Sequence, residues 1–171
     1  MHDDDLALLQ RFVKGDRAAL GQLAERHEPA LLGLARGLLG GSYALAEEAV
    51  QDAWVRVIAS SATFEARSEV RTWLYRIVIN RCRDLARRAR RPEPNGQVPS
   101  VPAPEGEEFD MRVREAVRNL PVDQREALML SMHGLSDRLC AEVLNIPLGT
   151  LKSRIRTART TLRRTLSEVH S

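Results

Sequence analysis

The chain has 171 residues, with 26 Lys or Arg against 23 Asp or Glu, and its formal net charge at neutral pH is +3. This length suits one or two small domains with modest cores. Cys82 and Cys140 lie far apart, at positions where helical periodicity expects apolar residues. We therefore predict buried free thiols and expect neither a disulfide framework nor a zinc site. No signal peptide or membrane-spanning apolar run is present, so we predict a cytoplasmic protein without membrane insertion.

Charge is distributed unevenly along the chain. Acidic residues collect at 3–5 and 105–110, whereas arginines collect at 81–91 and 152–164. Arginine suits the recognition of phosphate and guanine, although a GC-rich coding bias would give the same preference over lysine. The distribution therefore predicts two basic surfaces, and these clusters are more informative than the small net charge of the whole chain.

The first two predicted helices are separated by a short break. Asp3 to Asp5 can cap a first helix, and Gly15–Asp16 ends it and caps a long second helix that extends to Gly40–Gly41. Pro29 inside this second helix predicts a kink or a new first turn. His27 falls on the apolar stripe without a second metal ligand at suitable spacing, so we predict a structural histidine.

Two further helices follow. Ser42 caps the third, whose apolar face consists of Ala46, Ala49, Val50, Ala53, Trp54, Val57 and Ile58. After a loop at 60–68, a fourth helix begins near Val70 and ends in the basic run 81–91. This run is typical of a solvated helix end, but phosphate contact is favoured if the chain has another DNA-binding element.

Residues 92–106 are rich in Pro and Gly and lack an apolar period, which predicts an extended, poorly ordered linker. A second group of helices starts near residue 107. One helix contains Val113, Ala116 and Val117, and another runs from Pro121 to His133, with Gly134 placed to end it.

Residues 136–164 predict two helices joined by a tight turn. Ser136 is a natural N-cap, Asn145 tolerates the left-handed backbone that ends a helix, and Pro147 cannot continue one. The helix from about Gly149 has an apolar stripe of Leu151, Ile155, Ala158 and Leu162. Its other positions include Lys152, Arg154, Arg156, Arg159, Arg163 and Arg164. A basic helix entered through a short turn suits the DNA major groove, although charge alone is also typical of a solvated hairpin.

Three parts of the chain have a recognisable pattern: AEEAVQDAWVRV, the later FEARSEVRTWLYRIVINRCRDLARR, and LPVDQREALMLSMHGLS with PLGTLKSRI. The first two resemble the second conserved region, and the third resembles the fourth, of the extracytoplasmic-function (ECF) group of bacterial RNA polymerase sigma factors. The resemblance implies binding to core RNA polymerase, through its β′ clamp and β flap, and to promoter DNA. It also implies control by an anti-sigma factor.

The resemblance assigns residues to three interfaces. Docking on the β′ clamp would use Glu47, Glu48, Gln51, Asp52 and Trp54, although a solvated acidic face with a core Trp would look the same. Recognition and melting of the −10 element would use Phe64, Arg67, Arg71, Trp73, Tyr75, Arg76, Asn80, Arg81, Asp84, Arg87 and Arg88, with a flipped base held by the loop 64–70. Recognition of the −35 element would use Thr150, Lys152, Ser153, Arg154, Arg156, Thr157 and Arg159.

The predicted second domain departs from the family's pattern at several positions. Asp137, Arg138 and Leu139 follow Ser136 where an aromatic and then acidic residues are common. Cys140 replaces Ile, Asn145 replaces Gly, and Arg156–Thr157 stands where an aromatic residue or His followed by Arg is common. These differences are compatible with the family's fold, but they mean that the promoter sequence cannot be carried over from the family.

We therefore predict an all-α protein with two small helical domains joined by a flexible linker. Residues 1–91 would form the domain for core polymerase binding and the −10 element, 92–106 the linker, and 107–171 the helix-turn-helix domain for the −35 element. No nucleophile, metal site or nucleotide site is visible, so neither enzymatic activity nor a cofactor is expected. The alternative is a free-standing transcriptional regulator, which predicts a dimerisation surface or ligand pocket in residues 1–91.

Overall fold

The computed structural model describes residues 2–89 and 108–167, and this part of the chain contains helices and no strand. The helices are α1 (His2–Val13), α2 (Arg17–Leu38), α3 (Tyr43–Ser60), α4 (Val70–Ala89), α5 (Glu108–Arg118), α6 (Val122–Met132), α7 (Asp137–Leu144) and α8 (Leu148–Ser167), with a short 3-10 turn at Ser61–Thr63. The all-α prediction is confirmed. The predicted linker, 92–106, lies outside the described residues.

Side-chain caps begin two helices, α2 and α3, of the first domain, which consists of α1–α4. The Asp16 carboxylate accepts from the backbone N–H groups of Ala18 and Ala19, and the Ser42 hydroxyl accepts from that of Leu45. The α2 helix continues through Pro29 without a new first turn. Pro29 supplies no N–H to the hydrogen-bond ladder of α2, and the helix nevertheless continues on both sides of it.

Helices α2, α3 and α4 pack together around a shared core, with α1 against α2. The fully buried residues include Leu23, Leu34, Val57 and Leu74. His27 is buried, and its Nε2 lies 2.8 Å from the carboxylate of Asp5, so the prediction of a structural histidine is confirmed.

The second domain, α5–α8, ends in the predicted helix-turn-helix. Pro121 immediately precedes α6, and Asn145 adopts the left-handed conformation, with φ of 53°, at the end of α7. Leu151, Ile155 and Ala158 of α8 are buried, whereas Leu162 is partly buried. These features confirm the predicted turn and apolar stripe.

Ser136 holds the start of α7, because its hydroxyl accepts from the backbone N–H of Leu139 at 3.2 Å. We expect Ser136→Ala to lower the free energy of unfolding by about 1 kcal/mol, since this N–H loses its partner. Urea unfolding followed by circular dichroism measures the change. The control, Ser153→Ala on the exposed face of α8, should change it by less than about 0.5 kcal/mol; equal effects would contradict the capping role.

The two domains are in direct contact. Helix α6 packs against α2, α7 packs against α4, and one continuous apolar core extends from the first domain into the second.

Candidate nucleic-acid interface

Helix α8 carries a positively charged groove along one side. Lys152, Arg156, Arg159 and Arg163 line it at helical spacing, together with Asp137 from the start of α7. The four cations are exposed, and the groove has a volume of about 330 Å³. One carboxylate cannot neutralise them, so this side of α8 attracts a polyanion.

The remaining predicted −35 residues lie around this groove. Thr150, Ser153 and Thr157 are exposed on α8. Arg154 differs, because its side chain is only partly exposed and its Nε lies 3.2 Å from the carboxylate of Asp123 on α6. The structure therefore places Arg154 in an ion pair within the domain, which competes with the predicted DNA contact.

The loop before α4 brings two predicted aromatic residues together. The ring centroids of Phe64 and Trp73 are 4.8 Å apart, and both side chains are partly buried. Such a tilted pair leaves apolar surface beside the loop on which a base can stack. Arg67 is exposed in the same loop and pairs with Glu65 at 2.5 Å.

One predicted −10 residue is in the core. Tyr75 is 0% exposed, and the guanidinium of Arg71 lies 5.7 Å from its ring centroid. In this arrangement Tyr75 cannot reach DNA, so the prediction that it contacts the strand is corrected. Its position on the helical period of the buried residues Thr72, Ile79 and Cys82 explains its burial.

A stripe along α4 contains Arg76, Asn80 and Arg87, at spacings of four and seven residues. The Arg76 guanidinium donates to the backbone carbonyl of Glu142, and Asn80 accepts from Arg83 at 3.2 Å. Arg87 pairs with Asp84, which lowers the pKa of the Asp84 carboxyl. Arg88 is exposed nearby.

Arg81 lies between α4 and α3 instead of on this stripe. Its side chain is 14% exposed, and its Nη2 lies 2.6 Å from Asp52 and 3.2 Å from Glu48. The Arg81 guanidinium therefore forms ion pairs with two carboxylates of the predicted polymerase-docking face. The predicted DNA contact of Arg81 is corrected on this ground.

The outward face of α3 contains more than the predicted acidic residues. Glu48 and Gln51 are exposed, Glu47 and Asp52 are partly exposed, and Trp54 is partly buried. The Tyr43 hydroxyl donates to Glu47, which raises the pKa of Tyr43.

Two apolar residues complete this face. Val55 is 64% exposed and Ile58 is 51% exposed. The prediction that Ile58 belongs to the core is wrong, since it points away from the buried Ala46, Ala53 and Val57. A helical projection of α3 would have placed both residues outside the buried stripe.

Both cysteines are free and buried, as predicted. Burial raises the pKa of the Cys82 thiol to about 12 and that of Cys140 to about 11. Within residues 2–89 and 108–167, no group of three His, Cys, Asp or Glu could hold a metal ion. None of the helices in this part of the chain is long and apolar enough to cross a membrane.

Comparison with known proteins decides the family. The family model described as Sigma-70 region 2 matches residues 23–92, and that described as Sigma-70, region 4 matches residues 110–162. The ECF RNA polymerase sigma factor SigM of Mycobacterium tuberculosis is 36% identical over 172 residues, covering 98% of this chain and 87% of the relative. The chain belongs to the ECF family of RNA polymerase sigma factors.

Other members are similar over nearly the same span. The ECF RNA polymerase sigma-E factor of Escherichia coli is 30% identical over 175 residues, covering 91% of this sigma factor and 90% of the relative. CnrH, solved in complex with the cytosolic domain of CnrY, matches with a TM-score of 0.77 and 27% identity, covering 96% of this chain and 98% of CnrH. The sigma factor RpoE, solved with the anti-sigma factor NepR from Bartonella quintana, matches with a TM-score of 0.66 and 29% identity. The match covers 86% of this chain and 96% of RpoE.

Proposed function

We propose that this ECF sigma factor binds core RNA polymerase through α3, reads the −35 element through α8, and reads and opens the −10 element through α4 and the preceding loop. The observation that carries the proposal is the groove of Lys152, Arg156, Arg159 and Arg163 on α8. A helix-turn-helix presents such a helix to the major groove, where cations contact phosphates and arginine contacts guanine.

The first domain supports the other half of the proposal. Phe64 and Trp73 offer a stacking surface beside the arginines of α4, which suits a single strand with an unstacked base. The outward face of α3 combines Glu48 and Gln51 with the exposed Val55 and Ile58. An apolar centre with a charged rim is typical of a protein–protein interface.

Two relatives with similar structures were solved with partner chains, one of them an anti-sigma factor. We propose that an anti-sigma factor likewise controls this protein by contacting both domains. We also propose that it acts in the cytoplasm, with polymerase and chromosome, and that it contributes no catalytic residue of its own.

A direct test mixes the purified chain with core RNA polymerase and a library of promoter fragments. The expected result is a stable complex and transcription from a subset of fragments that share two spaced elements. The free-standing regulator, in contrast, would bind duplex DNA in the absence of polymerase and would not elute with it. That result would overturn the proposal.

Arg156 and Arg163 line the same groove but lie about two turns apart along α8. We expect Arg156→Ala to relax base preference at one or two positions of the −35 element, because an arginine–guanine contact gives about 1–3 kcal/mol of discrimination. Arg163→Ala should weaken binding evenly across sequences and lower the salt slope by roughly one unit, as loss of a phosphate contact does.

The measurement is binding of holoenzyme to a promoter library at several salt concentrations. Arg164→Ala is the matched control, because Arg164 is exposed on α8 outside the groove. It should leave base preference unchanged. A change of preferred bases in Arg163→Ala, with a uniform loss in Arg156→Ala, would reverse the proposed orientation of α8.

A further inference from the structure

One acidic side chain lies inside the basic groove of α8. Asp137, the first residue of α7, lines this groove together with Lys152, Arg156 and Arg159. Its side chain is exposed, as are those of the three cations, and an exposed carboxylate carries a negative charge at neutral pH. An aromatic residue is common at this position in the family, so the carboxylate is a feature of this chain. The surface proposed to contact phosphates therefore contains one group that repels them.

No ion pair neutralises the Asp137 carboxylate. Glu142, which is also on α7, pairs with Arg138 at 3.2 Å. Asp123 of α6 pairs with Arg154 at the same distance. Asp137 forms no such pair with any residue in the part of the chain that the structure describes. Its charge is therefore available to act on whatever enters the groove.

The start of α7 would otherwise attract an anion. The Ser136 hydroxyl accepts from the backbone N–H of Leu139, whereas the N–H groups of Asp137 and Arg138 have no partner inside the helix. Such N–H groups lie at the positive end of the helix dipole and favour a bound phosphate. The Asp137 side chain extends from this same turn with the same sign of charge as a phosphate. It therefore opposes the approach of a DNA backbone to this end of the groove.

An acidic residue at the start of a helix also stabilises that helix through the dipole. This effect acts on the protein with or without DNA, so it changes the free energy of unfolding and leaves the salt dependence of DNA binding unchanged. Repulsion of phosphate by Asp137 changes that salt dependence directly. The two effects of the carboxylate can therefore be measured separately.

We propose that Asp137 is an electrostatic restraint in the DNA-binding groove, which lowers the affinity of α8 for DNA of every sequence. The restraint rests on the proposed function, since it requires DNA in this groove. The cations of α8 attract any DNA, and one fixed negative charge among them offsets part of that attraction. Because a chromosome offers a large excess of non-promoter sites, weaker sequence-independent binding leaves more of the sigma factor available for promoters.

The test compares holoenzymes that contain the wild-type chain, Asp137→Asn or Asp137→Glu. Asparagine removes the charge and keeps the size of the side chain, whereas glutamate keeps the charge. Glu115→Gln is the matched control, because it makes the same change of net charge at an exposed residue of α5 outside the groove. Binding to a promoter library and to DNA of random sequence is measured at several salt concentrations.

We expect Asp137→Asn to bind both kinds of DNA about fivefold more tightly at low salt, the factor that corresponds to one pair of unit charges about 4 Å apart in water. The slope of log affinity against log salt should become steeper by about one unit, and the preferred bases should stay the same. Asp137→Glu should keep the wild-type affinity and slope, and Glu115→Gln should stay within about twofold of the wild type.

Unchanged or weaker DNA binding by Asp137→Asn would overturn the restraint. A change in the preferred bases would also overturn it, because Asp137 would then read sequence. Circular dichroism checks that each variant keeps its helical content, as expected for an exposed position. Should asparagine reduce that content, Asp137→Ser removes the same charge and gives the same readouts.

Arg163→Ala separates failure of the restraint from failure of the proposed function, because Arg163 lines the same groove. If Arg163→Ala weakens DNA binding while Asp137→Asn leaves it unchanged, only the restraint is wrong. If neither variant changes DNA binding, α8 does not contact DNA, and the proposed function is wrong together with the restraint.

Discussion

Val55→Asp combined with Ile58→Asp should weaken binding to core RNA polymerase by roughly two orders of magnitude or more. Both side chains are exposed on α3 beside Glu48 and Gln51, and neither belongs to the buried core. Apolar residues at an interface centre each contribute on the order of 2 kcal/mol, and a carboxylate there must also be desolvated. Competition with a labelled sigma factor for core polymerase measures the loss.

Val13→Asp provides the control, since Val13 is an exposed apolar residue on α1, away from α3. It should leave the affinity within about twofold, because surface substitutions outside an interface usually cost less than about 0.5 kcal/mol. The urea midpoint should change little in either protein. Unchanged competition by the double variant would remove this face of α3 from the proposed polymerase interface.

Leu151→Ala should have the largest effect on stability, about 2–5 kcal/mol of the free energy of unfolding. Leu151 is 0% exposed where α8 packs against α6 and α7, so its removal leaves a cavity in the small second domain. Urea unfolding followed by circular dichroism gives the value. Because the apolar core is continuous between the domains, the whole transition should move to lower urea.

Leu148→Ala on the same helix is the comparison, because Leu148 is among the exposed large apolar residues. Its cost should stay near or below about 0.5 kcal/mol. Similar costs for the two variants would mean that Leu151 does not anchor α8.

The helices and their ends follow from local chemistry, and the sequence alone predicts them well. Ser42, Ser136 and Asn145 act within a turn or two of their own positions, so neighbouring residues are enough to assign them. The apolar stripe of α8 and its basic groove follow from the same helical period. The family resemblance then supplies the order of the two domains.

The site residues whose surroundings could not be predicted depend on distant partners. Arg81 forms ion pairs with Glu48 and Asp52, which lie about thirty residues earlier in the chain. Arg76 donates to the backbone carbonyl of Glu142, which lies 66 residues later. Tyr75 is polar enough to be assigned to a surface, but packing on both sides of α4 buries it. Charge and aromatic character show which residues can bind DNA. Tertiary structure decides which of them are accessible.

The contact between the two domains makes one native side chain an indicator of their separation, because an open pocket of about 210 Å³ lies between α4 and α6. Cys82 lies on its wall, and burial, with the nearby Glu126 as a smaller cause, raises its pKa to about 12. Separating the domains exposes this wall and removes that carboxylate, so more of the thiol ionises and reagents can reach it. Thiolate is the reactive form. A maleimide dye added to the unmodified protein would then react at a rate set by how often the two halves part, with no engineered label.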